Sequence, residues 1–214
     1  MPILKAAELW ELHLPLRFPF ETSFGKEEVK SCLLVHLICD EVDGWGEVPA
    51  PVLPRYNEDF LKGAEYLLRE VFIPGLMNKT LPTPEEFYRH FSWVKGNHFA
   101  RAGVEMALWD IEGKIQNQPL SVLLGAKPVS VSVGVSIGIH PDIPSLCRSI
   151  KFFLDQGYGR VKIKIKPEKD VEVVEAIRAE FGSFPLQVDA NAGYIRENVK
   201  VLEELDRFAL LMIE

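Results

Sequence analysis

The chain has 214 residues, of which 47% are hydrophobic and 26% charged. This ordinary globular composition excludes a disordered chain, a collagen-like chain and a small disulfide scaffold. With 24 basic residues against 31 acidic ones the net charge is −7, and without a basic block the chain is a poor partner for nucleic-acid phosphates. Cys32, Cys39 and Cys147 are too scattered for a disulfide framework or a structural zinc site. Glu8 and Glu11 interrupt what a signal peptide would keep apolar, and no apolar run approaches the roughly 20 residues that span a bilayer. A cytoplasmic chain with neither membrane nor nucleic-acid partners is expected.

Residues 3–14 alternate in part, and Ser31 to Asp40 (SCLLVHLICD) is rich in strand-forming residues. The Asp43-Gly44 turn returns the chain as a third short strand, Trp45 to Val48, giving a meander that Pro49, Pro51 and Pro54 then break. Phe60, Leu61, Ala64, Leu67, Leu68 and Val71 repeat at three and four residues, predicting a helix capped by Asn57 and stopped at Pro74-Gly75. Thr83-Pro84-Glu85-Glu86 opens a second helix as a capping box. A third covers about 98–116, with Ala100, Val104, Ala107, Leu108 and Ile111 on one stripe. Gly125 ends the short helix or turn that follows.

After about residue 128 the pattern changes. Strands are predicted at Val129–Ile139, Val161–Ile165, Leu186–Asp189 and Leu210–Ile213. Between them lie helices marked by Ile143, Leu146, Ile150 and Phe153, by Val173, Val174, Ile177 and Phe181, and by Val199, Leu202 and Leu205. A β-α-β-α-β-α-β order argues for a parallel sheet with crossover helices. The chain stops at Glu214, directly after a strand. A strand buried between helices rarely ends a chain uncapped, so further strands of a longer protein are expected.

Lys162 and Lys164 are two apart in a strand and share one face, whereas a central parallel strand is apolar on both. They read either as an edge strand with a solvated face or as a general base, with one ammonium lowering the pKa of the other in a partly desolvated site. Asp189-Ala190-Asn191 follows the next strand, and Glu214 ends the one after. The C-terminal strand ends of a (β/α) barrel converge on the active site, where carboxylates on successive strands can share one ion, and hard oxygen ligands favour Mg²⁺. Singly, Asp189 reads as well as a loop cap and Glu214 as a frayed end. Spaced one βα unit apart from the lysine pair, they read as a site.

The lysine pair in GRVKIKIKP, the acids in LQVDANAGY and LLMIE, and the stretch ARAGVEMALWDIEGK followed by PLSVLLGA resemble the enolase superfamily, in its muconate-lactonising-type branch. PFETSFG, GWGEVPAP and VSVGVSIGI resemble most the o-succinylbenzoate synthases and related N-acylamino-acid racemases. The resemblance implies an α+β capping domain, residues 1–125, followed by the first half of a (β/α)₇β TIM-like barrel, residues 126–214. It implies Mg²⁺-dependent abstraction of a proton next to a carboxylate. Lys164 would be the base and Lys162 its neighbour. Asp189 and Glu214 would be metal ligands, and Asn191 would hydrogen-bond behind them without touching the metal.

The family has a further metal carboxylate on the fifth barrel strand and a second lysine on the sixth, both beyond residue 214. Thr22, Ser23 and Phe24 would lie in a loop closing over substrate, although a plain hairpin connection fits their composition equally. Ser136 reads as a substrate contact or a small polar core residue. His13, His36, His90, His98 and His140 have no metal spacing and read as structural; Trp45 and Tyr56 read as packing residues. The partner implied is a small-molecule carboxylate, with a homo-oligomer or a complementing chain closing the half-barrel. The alternatives are a non-catalytic assembly module, or a dipeptide epimerase or cycloisomerase of the same superfamily.

Overall fold

A computed structural model of the protein describes residues 2–23, 25–55, 57–127, 129–167 and 169–214. Phe24 and Tyr56 therefore lie outside the described residues. The chain forms two compact units, residues 1–15 with 29–129, and residues 16–28 with 130–214. The tip of the first hairpin thus belongs with the second unit.

In the first unit β2 (Gly25–Cys39) lies between β1 (Leu4–Thr22) and β3 (Asp43–Val48). β2 and β3 pair antiparallel from Leu33↔Val48 to Ile38↔Asp43. Gly44, Gly46 and Val48 alternate onto the buried face of β3, against α4 (His98–Gln116). The glycines set that approach. A Cβ on Gly46 would stand 1.9 Å from the carbonyl oxygen of Gly103, and one on Gly44 would stand 2.2 Å from that of Ala107. Val35, Leu37, Val104, Ala107, Leu108 and Ile111 fill the core around this contact.

The predicted capping box at α3 (Pro84–His90) is present, with Thr83 Oγ1 taking the Glu86 N–H and the Glu86 carboxylate taking the Thr83 N–H. The preceding helix departs from expectation at both ends. α1 (Leu61–Leu67) starts after Phe60, and Asn57 Oδ1 instead accepts the N–H of Asp59 in a turn. Helix continues through Pro74-Gly75 to the end of α2 (Ile73–Leu76), by way of a π-helical stretch at Leu68–Phe72. After the short α5 (Leu120–Leu123), Gly125 takes a positive φ of 77°.

The second unit has four parallel strands in the order β4 (Gly134–Ile137), β5 (Arg160–Lys164), β6 (Leu186–Asp189) and β7 (Met212–Ile213). The crossovers are α6 (Ile143–Asp155), α7 (Asp170–Phe181) and α8 (Val199–Asp206). Ile137, Val161, Ile163, Leu186 and Val188 bury one side with Leu146, Ile150, Val174, Ile177 and Leu205. The Arg178 guanidinium ties α7 to the neighbouring loops by donating to the carbonyls of Gly182, Phe184, Phe208 and Ala209. The first strand is shorter than expected. Gly134 already pairs with Arg160, the start of β5, so Val129 to Val133 have no residue of β5 opposite them and Val129, Val131 and Val133 are exposed. No helix of the described residues is long and apolar enough to cross a membrane.

Gly46→Ala should destabilise the first unit by about 3 kcal/mol, because the new methyl meets backbone rather than a movable side chain. Gly159→Ala, with open space around it, should leave the urea midpoint unchanged. Equal midpoints for both variants would contradict this packing.

Candidate active site

Alternation along the parallel strands puts polar side chains on the side opposite the helix-covered core. Ser136 pairs in register with Lys162, Lys162 with Gln187, and Gln187 with Met212. One step further, Lys164 pairs with Asp189. The sequence thereby brings Lys162, Lys164, Asp189 and Glu214 together. Lys164 Nζ lies 2.6 Å from Asp189 Oδ2, and Lys162 Nζ lies 3.0 Å from the same oxygen. Lys162 Nζ also reaches Glu214 Oε2 at 2.9 Å. Asp189 Oδ1 accepts the backbone N–H of Asn191 at 2.8 Å. The side chains of Asp189 and Lys164 are 2% and 7% exposed, that of Glu214 53%.

The electrostatics follow from these contacts. Burial alone pushes the Asp189 carboxyl up, but hydrogen bonds from Lys164, the Asn191 N–H and Lys162 outweigh it, and the group titrates below the ordinary carboxylate range. Burial likewise pushes the Lys162 ammonium down, and its bonds to Glu214 and Asp189 more than reverse this, holding it above the ordinary lysine value. Two carboxylates, not the neighbouring ammonium, dominate its surroundings.

The hairpin tip of the second unit packs at this strand end. The Lys164 ammonium stands 5.9 Å from the centre of the Phe20 ring. Glu21 accepts the N–H of Ile139 on its carbonyl and faces Lys166 at 3.7 Å. The Ser23 hydroxyl donates to the carbonyl of Asn191 at 3.4 Å, while Thr22 Oγ1 donates to the carbonyl of Gly25 within the hairpin. Asn191 and Ala192 both hold positive φ, 48° and 56°, a strained conformation for residues with a Cβ. Asn191 braces Asp189 through its backbone; its side-chain Oδ1 is buried and has no hydrogen-bond partner. Ser136 is exposed on β4 rather than a core residue.

Two residues of this face escaped the sequence reading. Phe20 lay in the motif PFETSFG, of which only Thr22, Ser23 and Phe24 were singled out as substrate contacts. Gln187, 4% exposed, donates to Glu214 Oε2 at 2.8 Å. A polar residue two before Asp189 in a buried strand was the available signal. His36 is used structurally, stacked on Trp45 with ring centroids 3.8 Å apart and bonded to Asp43 at 2.8 Å. Among the described residues no group of three or more His, Cys, Asp or Glu side chains is placed to hold a metal.

Comparison with known proteins gives matches across nearly the whole chain. Residues 6–125 match the mandelate racemase / muconate lactonizing enzyme N-terminal domain, and residues 146–214 match the enolase C-terminal domain-like family. An o-succinylbenzoate synthase of Listeria innocua is 41% identical over 209 residues, covering 97% of this chain and 56% of the relative. An N-succinylamino acid racemase of Thermus thermophilus is 41% identical over 211 residues, covering 99% of this chain and 57% of the relative. The crystal structure of an enolase superfamily member from Listeria innocua superposes with a TM-score of 0.90 at 40% identity, over 100% of this chain and 58% of that one. The chain thus spans somewhat more than half the length of these relatives.

Asp189→Asn removes the negative charge that two ammonium groups share and should lower the unfolding free energy by about 3 kcal/mol at pH 7. A carboxyl whose folded pKa is depressed stabilises fully above its unfolded value, about 3.9, and loses that contribution as pH falls through the lower folded value. The difference between wild type and variant in urea unfolding should therefore shrink below about pH 4. A pH-independent difference would contradict the assignment.

Proposed function

We propose that this chain, which belongs to the mandelate racemase / muconate lactonizing enzyme family, carries the proton-abstracting half of a site acting next to a substrate carboxylate. Its fold is that of the enolase superfamily, with an N-terminal α+β capping domain and a partial barrel. The observation that carries the reading is the convergence of Asp189 and Glu214 on one cationic point, Lys162 Nζ, at 3.0 and 2.9 Å.

Two carboxylate oxygens that close around an ammonium suit a small hard cation, since Mg²⁺ is commonly held by one or two carboxylates with water and substrate completing the shell. Asp189 and Glu214 would hold it. When bound, it would supply Lewis-acid stabilisation of the negative charge that develops on the substrate carboxylate. The chain's own residues do the rest. Lys164 Nζ takes the α-proton, with Asp189 holding the amine in place. Lys162 exchanges its carboxylate partners for the carboxylate of the substrate. The Phe20 ring beside Lys164 keeps water from the amine. Ser136, Thr22, Ser23 and Phe24 remain the proposed substrate contacts, with Asn191 bracing Asp189. The names of the relatives support two outcomes: dehydration, as in an o-succinylbenzoate synthase, or return of the proton, as in an N-succinylamino acid racemase.

A second reading, an assembly module, is favoured by apolar residues exposed at both sheet edges. These are Val129, Val131 and Val133 before β4, and Leu211, Met212 and Ile213 at β7. One experiment separates the two. The chain is extended with the remaining barrel strands of the Listeria innocua relative, and α-proton exchange of an N-succinylamino acid is followed in D₂O. The extended protein should exchange the proton, and Lys164→Ala should reduce the rate by about 10²–10⁴-fold with unchanged circular dichroism. The unextended chain should be silent and associated by light scattering. Undiminished exchange in Lys164→Ala would remove that residue from the mechanism.

A further inference from the structure

Gln187 lies in the cross-strand row of Ser136, Lys162 and Met212 and is a polar residue that the proposed chemistry leaves without a role. It sits in β6, every residue of which is buried, and its cross-strand partners are Lys162 on one side and Met212 on the other. Its Nε2 donates to Glu214 Oε2 at 2.8 Å and approaches Met212 Sδ at 3.4 Å. The amide orientation is chemically determined, because the amide oxygen turned towards the Glu214 carboxylate would be repelled. Glu214 Oε2 therefore takes two donors, Gln187 and Lys162.

These donors differ in kind. The Lys162 ammonium is a mobile charge that the proposed reaction redirects to substrate, and a cation arriving between Asp189 and Glu214 would repel it. The Gln187 carboxamide is neutral, buried and fixed on the central strand of the site. We infer that Gln187 is a positioning residue for Glu214: it holds one carboxylate oxygen in place when Lys162 leaves, so that an otherwise half-exposed side chain meets a divalent cation pre-oriented. The inference rests on the proposed function, since it takes Glu214 as a cation ligand. It adds a residue that acts only through Glu214. Hydrogen-bonding partners of metal ligands typically change metal affinity on the order of 10–100-fold when removed.

The test is Mn²⁺ binding to the full chain, followed by electron paramagnetic resonance of the free ion. Wild type should bind in the millimolar range, and Asp189→Asn should abolish binding. Gln187→Met, which keeps side-chain length and removes the donor, should weaken binding on the order of tenfold without moving the thermal midpoint. Gln187→Asn, which keeps the amide but falls short of Glu214, should show the same loss and serves if the Met variant folds poorly. Affinity within twofold of wild type in a folded Gln187 variant, with Asp189→Asn still abolishing binding, would overturn the inference and leave the proposed site standing. Binding that survives Asp189→Asn, or no binding by wild type, would overturn the proposed site and this inference with it.

Discussion

Asp189 Oδ2 accepts the ammonium groups of both Lys162 and Lys164, and the second unit is organised around that shared oxygen. Taking a charge out of water costs several kcal/mol per ion even after relaxation. A sheet built for stability alone would carry apolar residues here, as its other side does with Val161, Ile163, Leu186 and Val188. That covered side and its three helices supply the burial energy, and the buried charges spend part of it. Such a local violation of the packing rules is expected at functional sites rather than in scaffolding.

The hairpin tip gives the same strand end a second layer. Its carbonyl at Glu21 fixes the chain beyond β4, its Phe20 ring stands near the base candidate on β5, and its Ser23 hydroxyl reaches the loop after β6. Gly138 lies so close to the tip that a Cβ there would stand 2.9 Å from the Glu21 amide nitrogen. The left-handed conformations of Asn191 and Ala192 occur in the loop that this tip touches and that delivers an N–H to Asp189. Strain, burial and charge thus coincide at one strand end.

Much of this was legible in the sequence because it follows from period and punctuation. The capping box at Thr83, the α4 stripe, and the alternation that places Lys162 and Lys164 on one side all came from spacing, and Asp189 from its place at the end of the next strand. The π-helical passage through Pro74 was not legible, since proline ordinarily signals an end and only tertiary packing sustains the helix beyond it. The length of β4 was hidden because a strand extends only where a partner stands opposite, and pairing begins at Gly134. The ion pair between Lys162 and Glu214 was not legible, because the sequence shows the neighbouring lysine at once, whereas that carboxylate arrives from 52 residues away. Membership in the superfamily rested on the combined lysine and acid motifs, each of them weak alone.

The central claim is that Lys162 Nζ occupies the place of a cation shared by Asp189 and Glu214. The most direct measurement is a crystal of the chain soaked in Mn²⁺ and recorded at a wavelength where manganese scatters anomalously. The account predicts an anomalous peak between the two carboxylates, with the Lys162 ammonium displaced from both. A peak elsewhere, or an unmoved Lys162 bridge with no peak at saturating Mn²⁺, would contradict it.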